Sequence, residues 1–61
     1  MDPFLIECMQ VIDGLRAIGL SEPTPETIIQ TLNDKRRVDG QPALSAREID
    51  RLVRSVSSGF A

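Results

Sequence analysis

Apolar residues recur at helical spacing in three separate segments of the chain. The first segment contains Phe4, Cys8, Val11, Ile12, Leu15 and Ile18, the second Ile28, Ile29 and Leu32, and the third Ile49, Leu52, Val53 and Val56. A period near 3.6 residues is typical of amphipathic helices. Because no stretch alternates apolar and polar residues long enough to suggest a strand, the pattern predicts an all-α, compact three-helix domain.

Start and stop signals frame each of the three segments. Asp2-Pro3 and Thr24-Pro25 each place a capping side chain before a proline at the first helical position. Ser45 and Glu48 form a capping box. Gly19 supplies a stop, and residues 38–42 form a turn. The predicted helices span residues 3–18, 25–36 and 46–57, followed by a frayed tail at 58–61.

One glycine, Gly14, lies inside the first predicted helix. A glycine in a helix interior costs up to about 1 kcal/mol relative to alanine. We expect it to allow the close approach of a neighbouring helix, with a simply tolerated glycine as the alternative.

The length and composition restrict the function. A chain of 61 residues without histidine forms one domain with a small core and lacks the commonest general base, so we expect neither an enzyme nor a cofactor. The single cysteine, Cys8, excludes an intramolecular disulfide and a multi-cysteine metal site. Asp2 and Glu7 stand where a signal peptide carries basic residues. We therefore expect a cytoplasmic protein with no metal and no membrane span.

The charges are distributed unevenly. Residues 1–34 hold one basic and six acidic side chains, a charge of −5, whereas residues 35–61 hold six basic and three acidic side chains, a charge of +3. Such asymmetry favours an anionic partner. The alternative is that the two oppositely charged halves attract each other within one globule.

The third helix predicts a basic surface. At about 100° per residue, Arg47, Arg51 and Arg54 fall opposite the apolar stripe, an arrangement that suits a recognition helix in the major groove. The helix start capped by Ser45 would also suit a backbone phosphate. The alternative is a solvated face held by local ion pairs, in which Asp50 and Arg54 have the favourable i, i+4 spacing.

Three more cations, Lys35, Arg36 and Arg37, end the second predicted helix. These three side chains would bind phosphates of the DNA backbone while the third helix contacts bases. Favourable interaction with the helix dipole is a sufficient structural reason for the same run.

The first predicted helix has more apolar surface than one buried face requires. Leu5, Ile6 and Met9 extend its apolar sector, which favours an interface with a partner or with a second copy of the chain. The alternative is that Ile6 is a lone exposed apolar residue. Cys8 falls on the buried face, where it serves as a small core residue.

The segment QVIDGLRAIGLSEPTPETIIQTL, followed by a turn and LSAREIDRLVRSV, resembles a helix-turn-helix module. It is similar to the N-terminal DNA-binding domain of plasmid KfrA-type proteins and to small winged-helix regulators. The resemblance covers about three-quarters of the chain and rests on apolar spacing and Pro23-Thr24. It implies that the second and third helices form the DNA-binding pair, with Arg47 and Arg51 near the bases.

These observations favour a small bacterial or phage-type regulator that binds double-stranded DNA, acting as a homodimer. The alternative is a helical adaptor or inhibitor that binds a protein partner through the first helix or the arginine face.

Overall fold

A computed structural model describes residues 2–58, which form three α-helices. They are α1 (Pro3–Ala17), α2 (Pro25–Val38) and α3 (Ala46–Ser57), and the predicted all-α three-helix domain is confirmed. Relative to the expected bounds, α1 ends one residue earlier and α2 ends two residues later. The frayed tail expected at 58–61 lies, beyond Ser58, outside the described residues. None of the helices within the described part of the chain combines the length and the apolar character needed to cross a membrane.

The three predicted N-caps are confirmed. Asp2 Oδ1 accepts from the Phe4 N–H at 2.9 Å, and Thr24 Oγ1 accepts from the Thr27 N–H at 3.3 Å. In the capping box, Ser45 Oγ accepts from the Glu48 N–H at 3.2 Å while the Glu48 carboxylate accepts from the Ser45 N–H at 3.1 Å. Each cap satisfies a backbone donor that the helix leaves without a partner.

Glycine ends both α1 and α2. Gly19 and Gly40 have positive φ angles of 106° and 74°, a region in which side-chain-bearing residues are strained. After α1, the Gly19 N–H donates to Arg16 O and the Leu20 N–H to Leu15 O. The same pair of bonds ends α2, where the N–H groups of residues 40 and 41 donate to the carbonyls of residues 37 and 36. This is the Schellman arrangement, and at Gly40 it explains why α2 continues past residue 36.

The core lies between the three helices. Its buried side chains are Phe4, Cys8, Val11, Ile12, Leu15, Ile28, Leu32, Leu44 and Leu52. Ile29, Ile49 and Val56 pack against this cluster from partly exposed positions.

Three expectations about packing are wrong. Ile18 is 76% exposed and follows the last residue of α1 instead of lying within the helix. Val53 is 38% exposed and lies at the margin of the apolar stripe of α3. Gly14 meets no atom within 4 Å of where a Cβ would stand, so no helix approaches it closely and it is a tolerated helical glycine.

The connection between α2 and α3 covers residues 39–45. It is longer than the three or four residues of an ordinary helix-turn-helix connection. Asn33 fixes its end, because the Asn33 Oδ1 atom accepts from the Leu44 N–H at 2.8 Å and Leu44 enters the core. The helix-turn-helix assignment for α2 and α3 stays a prediction.

Candidate nucleic-acid interface

Arg36 joins all three helices through its guanidinium group. Its Nε and Nη2 atoms donate to the two carboxylate oxygens of Glu7 on α1 at 3.1 and 2.9 Å. Its Nη1 and Nη2 atoms donate to the carboxylate of Glu48 on α3 at 3.4 and 3.1 Å. Only 12% of the Arg36 side chain is exposed. A phosphate contact was expected of Arg36, but its donors are already occupied by two carboxylates.

The Glu7–Arg36–Glu48 cluster also sets the electrostatics of the site. The hydrogen bonds that Arg36 donates to the carboxylates of Glu7 and Glu48 raise the pKa of Arg36 further above its ordinary value. The pKa of Glu48 is lowered, first by the backbone N–H of Ser45 and then by Arg36. Both groups are therefore held in their charged forms at neutral pH.

The Arg36–Glu48 contact brings the last turn of α2 against the first turn of α3. Lys35 and Arg37 flank Arg36 on the exposed surface of α2, and the exposed Arg47 adjoins Glu48 on α3. These three cations therefore lie at the same end of the molecule. Within residues 2–58, Lys35 and Arg47 take part in no ion pair, while Arg37 pairs with Asp34 at 3.0 Å through side chains that are mostly exposed.

The two other arginines of α3 have different surroundings. Arg54 pairs with Asp50 at 3.1 Å, with 80% of the Arg54 side chain exposed, as its i, i+4 spacing indicates. Arg51 instead turns toward α1, where it pairs with Asp2 and lies over the Phe4 ring at 5.3 Å from its centroid. The bond to Arg51 is the main cause of the lowered pKa of Asp2. Arg51 was expected on the side opposite the core, but it bridges α3 and the start of α1.

Ser45 caps α3 and is itself exposed. Its hydroxyl accepts from the Glu48 N–H, which leaves the N–H groups of Ala46 and Arg47 without a partner inside the helix. Donors at this position carry the positive end of the helix dipole.

The apolar surface expected on α1 is present in part. Ile6 is 39% and Met9 49% exposed, whereas Leu5 is half-buried. Met9 lies at the edge of an open cleft of about 450 Å³. The cleft is lined by Met9, Ile12, Asp13 and Arg16 of α1, Glu22 and Pro23 of the linker, Ile28 of α2 and Val56 of α3.

Two further observations concern the cysteine thiol and possible metal ligands. The Cys8 thiol is fully buried, and burial raises its pKa to about 11, so it stays protonated and unreactive at neutral pH. In residues 2–58 the fold groups no three His, Cys, Asp or Glu side chains in a way that would hold a metal ion.

Sequence reasoning missed the roles of Glu7 and Asn33. Both are ordinary polar residues on helix surfaces. Glu7 accepts hydrogen bonds from Arg36, and Asn33 accepts one from the Leu44 N–H, each from a residue distant in the sequence. No local spacing indicates either contact.

Comparison of the chain with protein-family models, with curated proteins and with solved structures gives no match.

Proposed function

We propose that this protein is a small DNA-binding regulator of bacterial or phage type, acting in the cytoplasm, that contacts duplex DNA with the last turn of α2 and the outer side of α3. The observation that carries the proposal is the Arg36–Glu48 contact, which brings the last turn of α2, with the exposed Lys35 and Arg37, against the first turn of α3, with the exposed Arg47. Cations clustered with free helical N–H groups are suited to phosphate oxygens.

Four of the expected contact residues carry the binding in this proposal. Lys35 and Arg47 have no ion pair to break within the described chain, and the pairs of Arg37 and Arg54 are exposed. Exposed pairs contribute about 0–1 kcal/mol, so a phosphate displaces their carboxylates at little cost. Arg36, Ser45 and Arg51 act by positioning the two helices. Two such modules, joined as a homodimer through α1, would contact two half-sites.

Acidic groups near the same surface limit the affinity. Asp34, Asp39 and Asp50 lie on or beside it, and the chain as a whole carries a charge of −2. Binding is therefore expected at low salt and should weaken steeply as salt rises. With four phosphate contacts the affinity should fall roughly a hundredfold between 50 and 200 mM salt.

The test is a titration of duplex DNA monitored by fluorescence anisotropy at several salt concentrations. Lys35→Gln and Arg47→Gln should each weaken binding several-fold and reduce the salt slope by about one phosphate. Gln30→Glu is the matched control, because it makes the same change of −1 on an exposed position of α2 outside the proposed surface. Absence of binding at 50 mM salt, or equal weakening by Gln30→Glu, would contradict the proposal.

A second candidate function is protein binding through α1. It is favoured by Ile6 and Met9, which expose apolar surface beside the open cleft and resemble the anchors of helix-in-groove recognition. Met9→Glu should abolish such binding and, because the homodimer through α1 uses the same surface, should leave unchanged only the DNA binding of a single module. Protein binding that survives Met9→Glu would contradict this candidate.

A further inference from the structure

The outer flank of α1, through which the proposed homodimer forms, has a repeating arrangement of exposed side chains. Ile6, Met9, Asp13 and Arg16 follow one another at spacings of three, four and three residues, and all four are exposed. Spacings of this kind place side chains in one row along a helix, as in the seam of a coiled coil. The row ends with Arg16, because α1 ends at Ala17 and the positive φ of Gly19 takes the following residues off the helical path. We call Met9, Asp13 and Arg16 the α1 seam.

The charges of the α1 seam are complementary to themselves under a two-fold rotation. In an antiparallel pair of α1 helices whose two-fold axis passes between Asp13 and Arg16, Asp13 of each copy faces Arg16 of the other. The same register places Met9 of each copy beyond these pairs, toward the end of α1 in the other copy. The interface therefore contains two equivalent ion pairs, which is the self-matching pattern that a symmetric dimer requires.

The surroundings of the seam are consistent with a helix as its occupant. Met9, Asp13 and Arg16 line the open cleft of about 450 Å³ together with Pro23 and Val56, so the seam borders a groove. In residues 2–58 Asp13 has no ion-pair partner, and Arg16 makes one exposed bond, from Nε to Ser21 O at 3.3 Å. Both charges are thus available to a second copy.

We propose that the α1 seam binds a second copy of this chain in antiparallel orientation, with Asp13 of each copy paired to Arg16 of the other. The inference rests on the part of the proposed function that joins two chains through α1 and specifies the register of that homodimer, and its measurement does not depend on DNA binding. Glu7, whose carboxylate binds Arg36, lies on the opposite flank of α1, so the dimer leaves the last turn of α2 uncovered. Because the contact extends over only about three helical turns, it buries less than the roughly 800 Å² per partner of standard interfaces, and the dimer is expected to be weak.

Charge exchange tests both the partner and the register. Sedimentation equilibrium is measured from about 10 µM to 1 mM, a range that covers weak affinities. The wild-type chain should associate to a dimer as its concentration rises. Asp13→Arg and Arg16→Asp should each be monomeric, since each puts like charges opposite one another in both ion pairs. An equimolar mixture of the two variants should form a heterodimer, because both pairs between positions 13 and 16 then join opposite charges.

Matched controls are available on α3. Asp50→Arg and Arg54→Asp make the same charge changes at another exposed ion pair and should leave the association of the chain unchanged. Circular dichroism of each variant checks that it is folded. A wild-type chain that stays monomeric at 1 mM would overturn the proposal. So would dimers of the single variants as tight as wild type, or a mixture that remains monomeric. DNA binding enters none of these measurements, so failure here is separate from failure of the proposed function.

Discussion

Arg36→Met removes the charge that joins the three helices and keeps most of the aliphatic stem. Arg36 donates four hydrogen bonds to Glu7 and Glu48. In the variant these two carboxylates lose their common partner and face each other without it. Long side chains also stabilise through packing of the stem, which methionine preserves. The substitution therefore isolates the ionic part of the interaction.

The expected loss follows from the burial of the cluster. Hydrogen bonds to charged groups contribute about 1.5–3 kcal/mol, whereas exposed pairs contribute about 0.2–1 kcal/mol. The side chains of Arg36, Glu7 and Glu48 are 12%, 26% and 29% exposed, between these limits. About 1 kcal/mol per carboxylate gives a loss of about 2 kcal/mol in the free energy of unfolding. For a domain of this size that lowers the melting temperature by roughly 8–16 °C.

The loss should depend on pH through Glu48. Its pKa is depressed in the folded protein from an ordinary value of 4.5, so its contribution to stability is present above that value and is lost as pH falls through the folded pKa. Part of the depression comes from Arg36 and is absent in the variant. The stability difference between wild type and Arg36→Met should therefore be greatest near pH 7 and shrink toward pH 3.

Thermal and urea unfolding, followed by circular dichroism at pH 7 and pH 3, measure this difference. Arg37→Met is the matched control, because the neighbouring arginine forms only an exposed pair with Asp34 and its removal should change the stability by less than about 0.5 kcal/mol. Equal melting temperatures for Arg36→Met and Arg37→Met at pH 7 would refute the role given to the cluster. A difference that grows toward pH 3 would refute the electrostatic explanation.

Four other changes have expected outcomes. Gly14→Ala should raise the free energy of unfolding by about 0.5–1 kcal/mol in urea melts, since the helical site is open; a loss would mean that the site is crowded. Ser45→Ala should lower it by about 1 kcal/mol through loss of the cap, and an unchanged melting midpoint would disprove that cap. Cys8 should react with a thiol reagent at pH 8 only as the protein unfolds, because it is buried and its pKa is about 11; rapid labelling without denaturant would contradict its burial. Arg51→Glu should lower the melting temperature more than Arg54→Glu, because it puts a second carboxylate beside Asp2 and removes the contact with the Phe4 ring; equal effects would argue against that bridge.

The helices and their starts could be predicted because each is specified locally. The caps at Asp2, Thr24 and Ser45 join residues two or three positions apart, and helical spacing identifies most of the core. The exposure of the Ile18 side chain could not be predicted in this way. Gly19, whose positive φ ends the helix, acts through backbone geometry and not through the apolar spacing.

The individual roles of the basic residues could be predicted only in part. Spacing along α3 indicates which side its arginines face, and it predicted the Asp50–Arg54 pair. It does not indicate that the edge of that side meets α1, where Asp2 lies 49 positions from Arg51. Likewise, the sequence gives no reason to expect different surroundings for Lys35, Arg36 and Arg37. Arg36 differs from its two exposed neighbours because it lies where Glu7, 29 residues away in the sequence, accepts its hydrogen bonds.

The small buried area of α3 has a consequence for its motion. Leu52 is the only buried side chain that this helix contributes, whereas α1 contributes five. Segments with few buried apolar contacts open locally before the rest of a domain, so the amide protons of α3 should exchange with solvent sooner than those of α1. Salt screens the ionic contacts that support it and should speed that exchange. A ligand that engages the exposed arginines of α3 would slow it, and recognition would then be coupled to the docking of this helix.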